Sequence, residues 1–295
     1  MAIRFVGLPP VHLPSGKVTS LRCEHHAEEW LATAPTLGHR GVDQAPSAFD
    51  AEQSWGWDEC FPTVLPCESM PWGRSALRDH GELWGRPWEL TTESRDTRQL
   101  TFTDESGRFT FDRHDSLTSP ASMTSSYSAQ NFMAGAIPVL WSQHAVLRGE
   151  AGTTIQATFD QSRMTVAPFP SWIADTLGLR INSVDLGRLP SPDSSTVVKT
   201  YLRVPDGTVT AKRPSGCSLT WKYESIATPW FGLYVNLGGW PSSSSPLYQF
   251  AIEPTFAPFD DLESARVDQQ ATIIEPGGRI RWSVAMTLDA QDSDV

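Results

Sequence analysis

The segment Ile280–Asp289 reads Ile-Arg-Trp-Ser-Val-Ala-Met-Thr-Leu-Asp, in which apolar residues alternate with smaller or polar ones. Its apolar members are Ile280, Trp282, Val284, Met286 and Leu288. Successive side chains of a β-strand point to opposite faces of the sheet, so a period of two predicts a half-buried strand. Antiparallel sheets with one face on the core give this pattern. The segment therefore favours an all-β, antiparallel fold.

Turn signals recur along the whole chain, because 21 glycines and 23 prolines leave few windows for a long helix. Strand-like runs on either side of a turn predict three hairpins: 97–103 with 108–112, 196–204 with 208–213, and 271–275 with 280–289. The serine-rich stretch Ser116–Ser128 is interpreted as a loop. No shift in composition divides the chain, so we predict one large antiparallel β domain over residues 1–295, with few short helices.

The chain carries 34 Asp and Glu against 23 Lys and Arg, a formal net charge of −11. Nucleic acids and anionic membrane surfaces both attract clustered Lys and Arg, so the charge argues against either partner. The longest apolar run, Phe132–Trp141, contains Gly135 and Pro138 and is far shorter than the ~20 residues of a spanning helix. We therefore expect no nucleic-acid or membrane partner, and the sequence does not indicate an oligomeric state.

The four cysteines, Cys23, Cys60, Cys67 and Cys217, form no Cys-x-x-Cys pair. Two prolines at positions 9 and 10 interrupt the N-terminus before the apolar core of a signal peptide develops. We therefore expect reduced thiols and a cytoplasmic protein. Because no His, Cys or Asp pair stands at the spacing of zinc ligands, no metal site is predicted.

Twelve tryptophans are an unusually large share for this length. Core packing explains most tryptophans in globular proteins. Here, however, a group of five lies beside polar residues, and Trp230 and Trp240 flank a second segment; the five are Trp55, Trp57, Trp72, Trp84 and Trp88. Aromatic faces next to Asp, His and Arg suit a sugar, whose C–H face stacks while its hydroxyls bond at the edge. Composition thus indicates a candidate carbohydrate site.

Three polar residues stand out by their setting. Glu253 ends the uncharged run 247–252, and a buried carboxylate is costly unless it is paired or used; a solvated strand end is the alternative. His144 follows the apolar run Phe132–Trp141, and His80 lies between two tryptophan-rich turns. By spacing alone, a structural role fits each histidine better than a catalytic one.

Four motifs follow one another in a recognisable order. They are Gly56-Trp57-Asp58-Glu59-Cys60-Phe61-Pro62, Asp79-His80-Gly81 followed by Gly85-Arg86-Pro87-Trp88-Glu89-Leu90, the strand around His144, and Ala251-Ile252-Glu253-Pro254. Together they resemble the aldose 1-epimerase, or galactose mutarotase-like, superfamily over most of the chain. The resemblance implies a β-supersandwich that interconverts the α- and β-anomers of a hexose without a cofactor.

Residue by residue, the resemblance implies that His144 is the general acid and Glu253 the general base. It implies that His80 helps to bind the ring oxygen and neighbouring hydroxyls. The substrate-binding arginine does not align cleanly, so Arg74, Arg78 and Arg86 are all candidates. Asp58, Trp57 and Trp230 complete the set of candidate substrate-binding residues.

The chemistry agrees with this assignment. Anomerisation removes the proton of the anomeric hydroxyl and protonates the ring oxygen, so that the ring opens, rotates and closes again. One base and one acid on opposite sides of the ring are sufficient, without a metal or redox cofactor. A glutamate is ionised at pH 7, and a nearby carboxylate is expected to raise the pKa of the histidine and keep it acidic.

Three alternatives remain open. A hexose 6-phosphate substrate requires two or three Lys or Arg side chains that converge on one edge of the pocket. A carbohydrate-binding or sugar-sensing protein could use the same fold without catalysis, because one fold serves many functions. In an unrelated β-sandwich, Trp57, Trp84 and Trp88 would be fully buried with no cleft beside them.

Overall fold

Antiparallel strands make up nearly all the regular structure of the computed structural model. It describes residues 2–3, 16–23, 28–33, 49, 54–73, 76–158, 165–166, 185–193, 196–224, 229–241 and 247–290. In chain order, the strands are β1 Ala2–Ile3, β2 Leu21–Cys23, β3 Glu28–Glu29, β4 Trp57–Cys60, β5 Glu89–Glu93, β6 Thr97–Thr103, β7 Phe109–Ser119, β8 Ser122–Asn131, β9 Ile137–Val139, β10 Ser142–Arg148, β11 Thr154–Ala157, β12 Thr165–Val166, β13 Asp185–Arg188, β14 Val197–Arg203, β15 Thr208–Lys212, β16 Cys217–Glu224, β17 Trp230–Leu237, β18 Tyr248–Thr255, β19 Thr272–Ile274 and β20 Arg279–Ala290.

Helical structure is confined to two short segments of the described residues. One is the 3₁₀ turn Met70–Trp72, and the other is the helix α1, Leu262–Val267. The Asp261 side chain caps α1 by accepting a hydrogen bond from the Ser264 amide. Within the described ranges, no helix has the length and apolar character needed to cross a bilayer.

Most of the strands belong to two large antiparallel sheets. The nine-stranded sheet has the order β13-β11-β15-β16-β20-β8-β7-β6-β5, and the six-stranded sheet has the order β12-β14-β17-β18-β10-β4. Two small sheets, β1-β2-β3 and β19-β9, accompany them. Residues of both large sheets belong to one hydrophobic core, in which Trp141 of the six-stranded side packs on Tyr127 and Trp282. The predicted fold class, an all-β antiparallel β-supersandwich with few short helices, is confirmed.

The C-terminal segment forms the strand that its alternation predicts. β20 lies between β16 and β8 in the nine-stranded sheet. Trp282, Val284, Met286 and Leu288 are buried, whereas the residues between them are half-buried or exposed. The period of two therefore marks the core face of this strand.

Of the three predicted hairpins, one is confirmed and two are wrong. β6 and β7 pair across the turn at residues 104–108 as expected. β14 instead pairs with β17, and β15 pairs with β16, so the turn near Gly207 carries the chain from one sheet to the other. β19 pairs with β9 rather than with β20. Alternation and turn residues locate a strand, but the packing of the core chooses its partner.

The serine-rich stretch Ser116–Ser128 is not a loop. It forms the end of β7 and most of β8, with the chain reversing near Ala121. Met123, Ser125 and Tyr127 are buried, whereas the serines and threonines between them lie on the more accessible face. The polar residues that suggested a loop are the outer face of a sheet.

A buried ionic network lies between the two sheets. The Glu59 carboxylate accepts hydrogen bonds from the Trp57 and Trp141 indoles at 3.0 and 2.8 Å and from the Tyr127 hydroxyl at 2.9 Å. Arg113 lies 3.4 Å from Glu59 and donates to Asp115 at 3.1 Å. Burial raises the pKa of Glu59 to about 7, although Arg113 and the hydrogen bonds oppose this shift. Arg113 thus compensates both buried carboxyls, and Arg98 lies 3.6 Å from Asp115 as a second cation.

Replacing Arg113 tests this dependence. Arg113→Met removes the cation beside Glu59 and leaves Asp115 with Arg98 alone, at 3.6 Å, so we expect the free energy of unfolding at pH 7 to fall by about 3–5 kcal/mol. Urea unfolding measures the change. The matched control is Arg281→Met, on the exposed side of β20, which should alter stability by less than about 0.5 kcal/mol. Equal losses in the two variants would contradict the argument.

Candidate functional site

A row of side chains crosses the six-stranded sheet on the face opposite the hydrophobic core. Tyr201 on β14 pairs with Gly232 on β17, which pairs with Glu253 on β18. His144 on β10 pairs with Asp58 on β4. Residues that pair directly across neighbouring strands project from the same face of a sheet. The five residues therefore share one face.

Strand pairing also places His144 next to Glu253. In the register of β10 against β18, Ser142 pairs with Thr255 and Val146 pairs with Ala251, so His144 is level with Glu253. The His144 Nε2 and Glu253 Oε1 atoms are 3.9 Å apart. The two predicted catalytic residues, 109 positions apart in the chain, are thus neighbours on adjacent strands.

A cavity of about 210 Å³ opens over this row. One part of its wall is apolar or aromatic and consists of Phe49, Val64, Leu65, Val197, Tyr234 and Trp240. The rest is polar and consists of Ser54, Asp79, His80, His144, Lys199, Glu253 and Asp260. An apolar wall with a few convergent polar groups is typical of small-molecule sites.

The Glu253 carboxylate uses its two oxygens differently. Oε2 lies 2.7 Å from the Lys199 ammonium and accepts a weaker hydrogen bond from the Ser142 hydroxyl at 3.4 Å. Oε1 has no hydrogen-bond partner among the described residues. An unpaired buried carboxylate oxygen is costly, and a ligand hydroxyl would satisfy it.

Lys199 bridges two carboxylates. Its ammonium lies 2.7 Å from Glu253 and 2.7 Å from Asp260, and Asp260 also accepts a hydrogen bond from the Tyr201 hydroxyl at 2.6 Å. Burial alone would lower the pKa of Lys199, but Asp260 and Glu253 outweigh burial and raise that pKa well above its usual value. Lys199 is therefore a permanent cation in the cavity wall.

His144 is neutral in this arrangement. Burial lowers the pKa of His144 well below 6.5, and the charges of His80, Lys199 and Lys17 lower it further. The expectation that a neighbouring carboxylate raises this pKa is wrong, because burial and the nearby positive charges determine the direction of the shift. His144 Nδ1 also has no hydrogen-bond partner within the described part of the chain.

His80 is held by contacts on several sides. Its Nδ1 lies 2.8 Å from Asp79 Oδ1, its amide donates to the Val64 carbonyl at 2.6 Å, and its ring stacks on Phe49 at 4.0 Å. Its backbone has φ +56°, in the left-handed region that costs a non-glycine residue free energy. At Gly81, which follows with φ +73°, a Cβ would collide with the Phe61 backbone. The local structure maintains this strained backbone and so aims the imidazole at the cavity, 4.9 Å from the ring of His144.

The predicted aromatic and acidic residues on β4 do not line the cavity. Trp57 is fully buried in the core, where its indole donates to Glu59 and Arg113 lies 5.4 Å over its ring. The expectation that Trp57 stacks on a sugar is corrected, because alternation along β4 turns it to the core side. Asp58 shares the face of His144, but its carboxylate is buried in an ion pair with Lys17.

The remaining predicted substrate-binding residues also lie elsewhere. Arg86 pairs with Glu105 and lies 3.6 Å from Glu82, outside the cavity wall. Trp230 begins β17 opposite Thr255, half-buried and away from the cavity lining. Arg74 lies outside the described residues. Arg78 is not part of the cavity wall. Of the nine candidate residues, His144, Glu253 and His80 are the three that the structure brings together in the cavity wall.

Several cavity residues were missed in the sequence. Lys199 interrupts the apolar strand 197–202, which is the same signal that singled out Glu253. Trp240 was noted only as a flank of a tryptophan-bearing segment, and nothing local distinguishes Asp260 or Phe49. Among the described residues, no group of three or more His, Cys, Asp and Glu side chains is arranged to hold a metal ion.

Comparison with known proteins shows likeness at the level of structure. No protein-family model matches the chain. No curated protein matches it in sequence. A solved structure of a candidate aldose 1-epimerase from Escherichia coli K12 has a TM-score of 0.69 at 14% identity, over 94% of this chain and 93% of that one.

Two further solved structures agree with the first. A galactose mutarotase related enzyme from Lactobacillus acidophilus has a TM-score of 0.63 at 16% identity, over 94% of this chain and 93% of that one. A galactose mutarotase-like protein from Clostridium acetobutylicum has a TM-score of 0.62 at 11% identity, over 94% and 90% of the two chains. Identities this low establish the fold alone. The resemblance drawn from the sequence motifs is thus confirmed as a likeness of architecture, and the chain has the galactose mutarotase-like fold.

Proposed function

We propose that the protein is an aldose 1-epimerase that interconverts the α- and β-anomers of a neutral aldose. The observation that carries the proposal is Glu253 Oε1, a carboxylate oxygen without a protein partner, which lies 3.9 Å from the His144 imidazole in the wall of one cavity. A base and a proton-donating group side by side are what ring opening requires.

The short distance between His144 and Glu253 suits ring opening better than an acid and a base on opposite sides of the sugar ring would. The hydroxyl that loses a proton and the ring oxygen that gains one are both bonded to the anomeric carbon. The groups that serve these two oxygens must therefore be neighbours, and the expectation that they stand on opposite sides of the sugar is revised. Glu253 accepts the proton of the anomeric hydroxyl, and His144 donates a proton to the ring oxygen.

His80 and the aromatic residues complete the proposed site. The Asp79 carboxylate fixes the orientation of the His80 ring. Burial would raise the pKa of Asp79, but the hydrogen bond with the His80 ring and the other contacts of that carboxylate hold this pKa below its usual value. His80 then offers its other ring nitrogen to a sugar hydroxyl. Phe49 and Trp240 are parallel within 16°, with ring centroids 6.3 Å apart, and supply apolar surface for the C–H groups of the sugar.

Size and charge favour an unphosphorylated monosaccharide. The cavity is smaller than the roughly 300–1,000 Å³ of pockets for drug-sized ligands, so it suits a single sugar ring. A phosphate group needs converging cations. Within the described cavity wall, Lys199 is the one Lys or Arg, and its ammonium already serves two carboxylates. A hexose 6-phosphate is therefore the less favoured substrate.

A second candidate is a sugar-binding protein without catalysis. It is favoured by the ion pair between Glu253 and Lys199, which weakens the base, and by the low pKa of His144, which leaves little of its protonated form near pH 7. Such a protein would bind an aldose in the same cavity without accelerating its mutarotation. The variants below distinguish the two candidates.

Glu253→Gln keeps the shape of the side chain and removes the base. We expect it to lower the anomerisation rate by about 10²–10⁴-fold, while sugar affinity changes only a few-fold. Polarimetry or NMR exchange spectroscopy on a panel of aldoses and their 6-phosphates measures the rate, and fluorescence of Trp240 in the cavity wall reports binding.

The matched control is Glu275→Gln, an exposed carboxylate before β20, which should leave the rate unchanged. A wild-type protein that binds aldoses but does not accelerate mutarotation would support the binding protein instead. A full rate in Glu253→Gln would remove Glu253 from the reaction.

The pH dependence tests the role of His144. The acid form of His144 is lost as pH rises through its pKa, and this pKa lies well below 6.5. Because the protonated fraction of His144 falls in that way, kcat/KM should fall about tenfold per pH unit between pH 6 and 8. The ring of His144 should also give the NMR signature of a neutral imidazole at pH 6.5. A rate independent of pH over this range would assign the proton donation to another group.

A further inference from the structure

We propose that Lys199 is a positioning residue for the Glu253 base: it holds one carboxylate oxygen so that the other faces the anomeric hydroxyl. This inference rests on the proposed function and adds a residue to it. Lys199 was not a candidate in the sequence, and its contacts explain why the two oxygens of Glu253 have different surroundings.

The contacts of Lys199 are directional. Its ammonium lies 2.7 Å from Glu253 Oε2, the oxygen that also accepts from Ser142. The other oxygen, Oε1, is the one near His144 Nε2. Charge-assisted hydrogen bonds of this length are strong and restrict rotation of the carboxylate. Lys199 therefore selects Oε1 as the oxygen that meets the substrate.

Asp260 anchors the lysine from the other side. Its Oδ1 lies 2.7 Å from the Lys199 ammonium and accepts the Tyr201 hydroxyl at 2.6 Å. Its backbone carbonyl accepts hydrogen bonds from the amides of Val64 and Leu65 at 2.9 and 2.7 Å. The anchor is thus tied to two segments distant in the chain, so Lys199 cannot follow Glu253 if the carboxylate turns.

Gly232 provides the space for this bridge. It lies on β17 between Tyr201 and Glu253 in the row across the sheet. A Cβ at this position would be 3.1 Å from Glu253 Oε2 and 3.3 Å from the Tyr201 ring. The absence of a side chain therefore lets the carboxylate and the tyrosine approach each other from both flanks of the central strand.

Charge balance gives the arrangement a measurable consequence. One ammonium serves two buried carboxylates, and without it Glu253 and Asp260 would face each other as like charges. Two such carboxylates cannot both ionise readily, so one would hold a proton to a higher pH. Loss of Lys199 should therefore shift the pH at which the base becomes competent, which a purely structural role would not do.

The test compares Lys199→Met with Lys222→Met, a matched control on the exposed side of β16. We expect Lys199→Met to lower kcat about 10²-fold, as for a displaced catalytic group, with KM changed only a few-fold. The acid-side limb of its pH–rate profile should move to higher pH, so that the decline of the wild type between pH 6 and 8 becomes shallower in the variant. Lys222→Met should match the wild type in kcat, KM and pH profile.

A second pair of variants keeps the test decisive if Lys199→Met does not fold. Lys199→Met/Asp260→Asn removes one charge of each sign, so it should fold, lose most of kcat and show a smaller shift of the acid-side limb. Gly232→Ala retains every charge but crowds Glu253, so it should lower kcat without shifting that limb. Circular dichroism and thermal melts verify that each variant is folded.

The outcomes separate this inference from the proposed function. If the wild type does not accelerate mutarotation, or Glu253→Gln keeps full activity, the proposed function fails. If Glu253→Gln is inactive while folded Lys199→Met retains the wild-type kcat and pH profile, Lys199 does not position the base. A variant that loses sugar affinity at unchanged kcat would likewise overturn the inference, because Lys199 would then be a substrate-binding residue.

Discussion

The six-stranded sheet is covered on both faces, and this constraint governs the rest of the molecule. Along β10 all residues from Ser142 to Leu147 are buried. Odd-numbered positions face the hydrophobic core, and even-numbered positions face the cavity. A polar side chain buried on either face therefore needs a partner, supplied by the protein or by a ligand in the cavity. The buried ion pairs on the two faces of this sheet follow from that requirement.

The two faces meet the requirement in different ways. On the core side, Glu59 is enclosed by two indoles, a tyrosine hydroxyl and Arg113, and both of its oxygens accept hydrogen bonds. On the cavity side, Glu253 has one oxygen paired with Lys199 and one without a partner among the described residues. A closed network stabilises the fold, whereas an open one keeps binding capacity for a ligand. This contrast, rather than the number of charges, distinguishes the candidate site from the core.

Consecutive residues of a strand point to opposite faces of the sheet, so they enter different environments. Trp57, Asp58 and Glu59 are consecutive on β4, yet Trp57 and Glu59 enter the core while Asp58 lies beside His144. The tryptophan-rich stretch that suggested a sugar site is mostly core. The aromatic residues that do line the cavity, Phe49, Tyr234 and Trp240, lie outside that stretch. Composition detected an aromatic-rich protein but could not assign a face to each ring.

The sequence by itself determined the fold class, the strand that ends the chain, the β6–β7 hairpin and the prominence of His144, Glu253 and His80. The strands and the hairpin follow from local rules, because alternation reports burial, and Glu253 stood out as a charge at the end of an apolar strand. The roles of His144 and His80 came instead from the resemblance to a known family. Strand partners, the pairing of Lys199 with Glu253 and Asp260, and the neutral state of His144 were decided by the tertiary structure. They depend on distances between residues far apart in the chain and on the exclusion of water, and only the packing of the two sheets sets these.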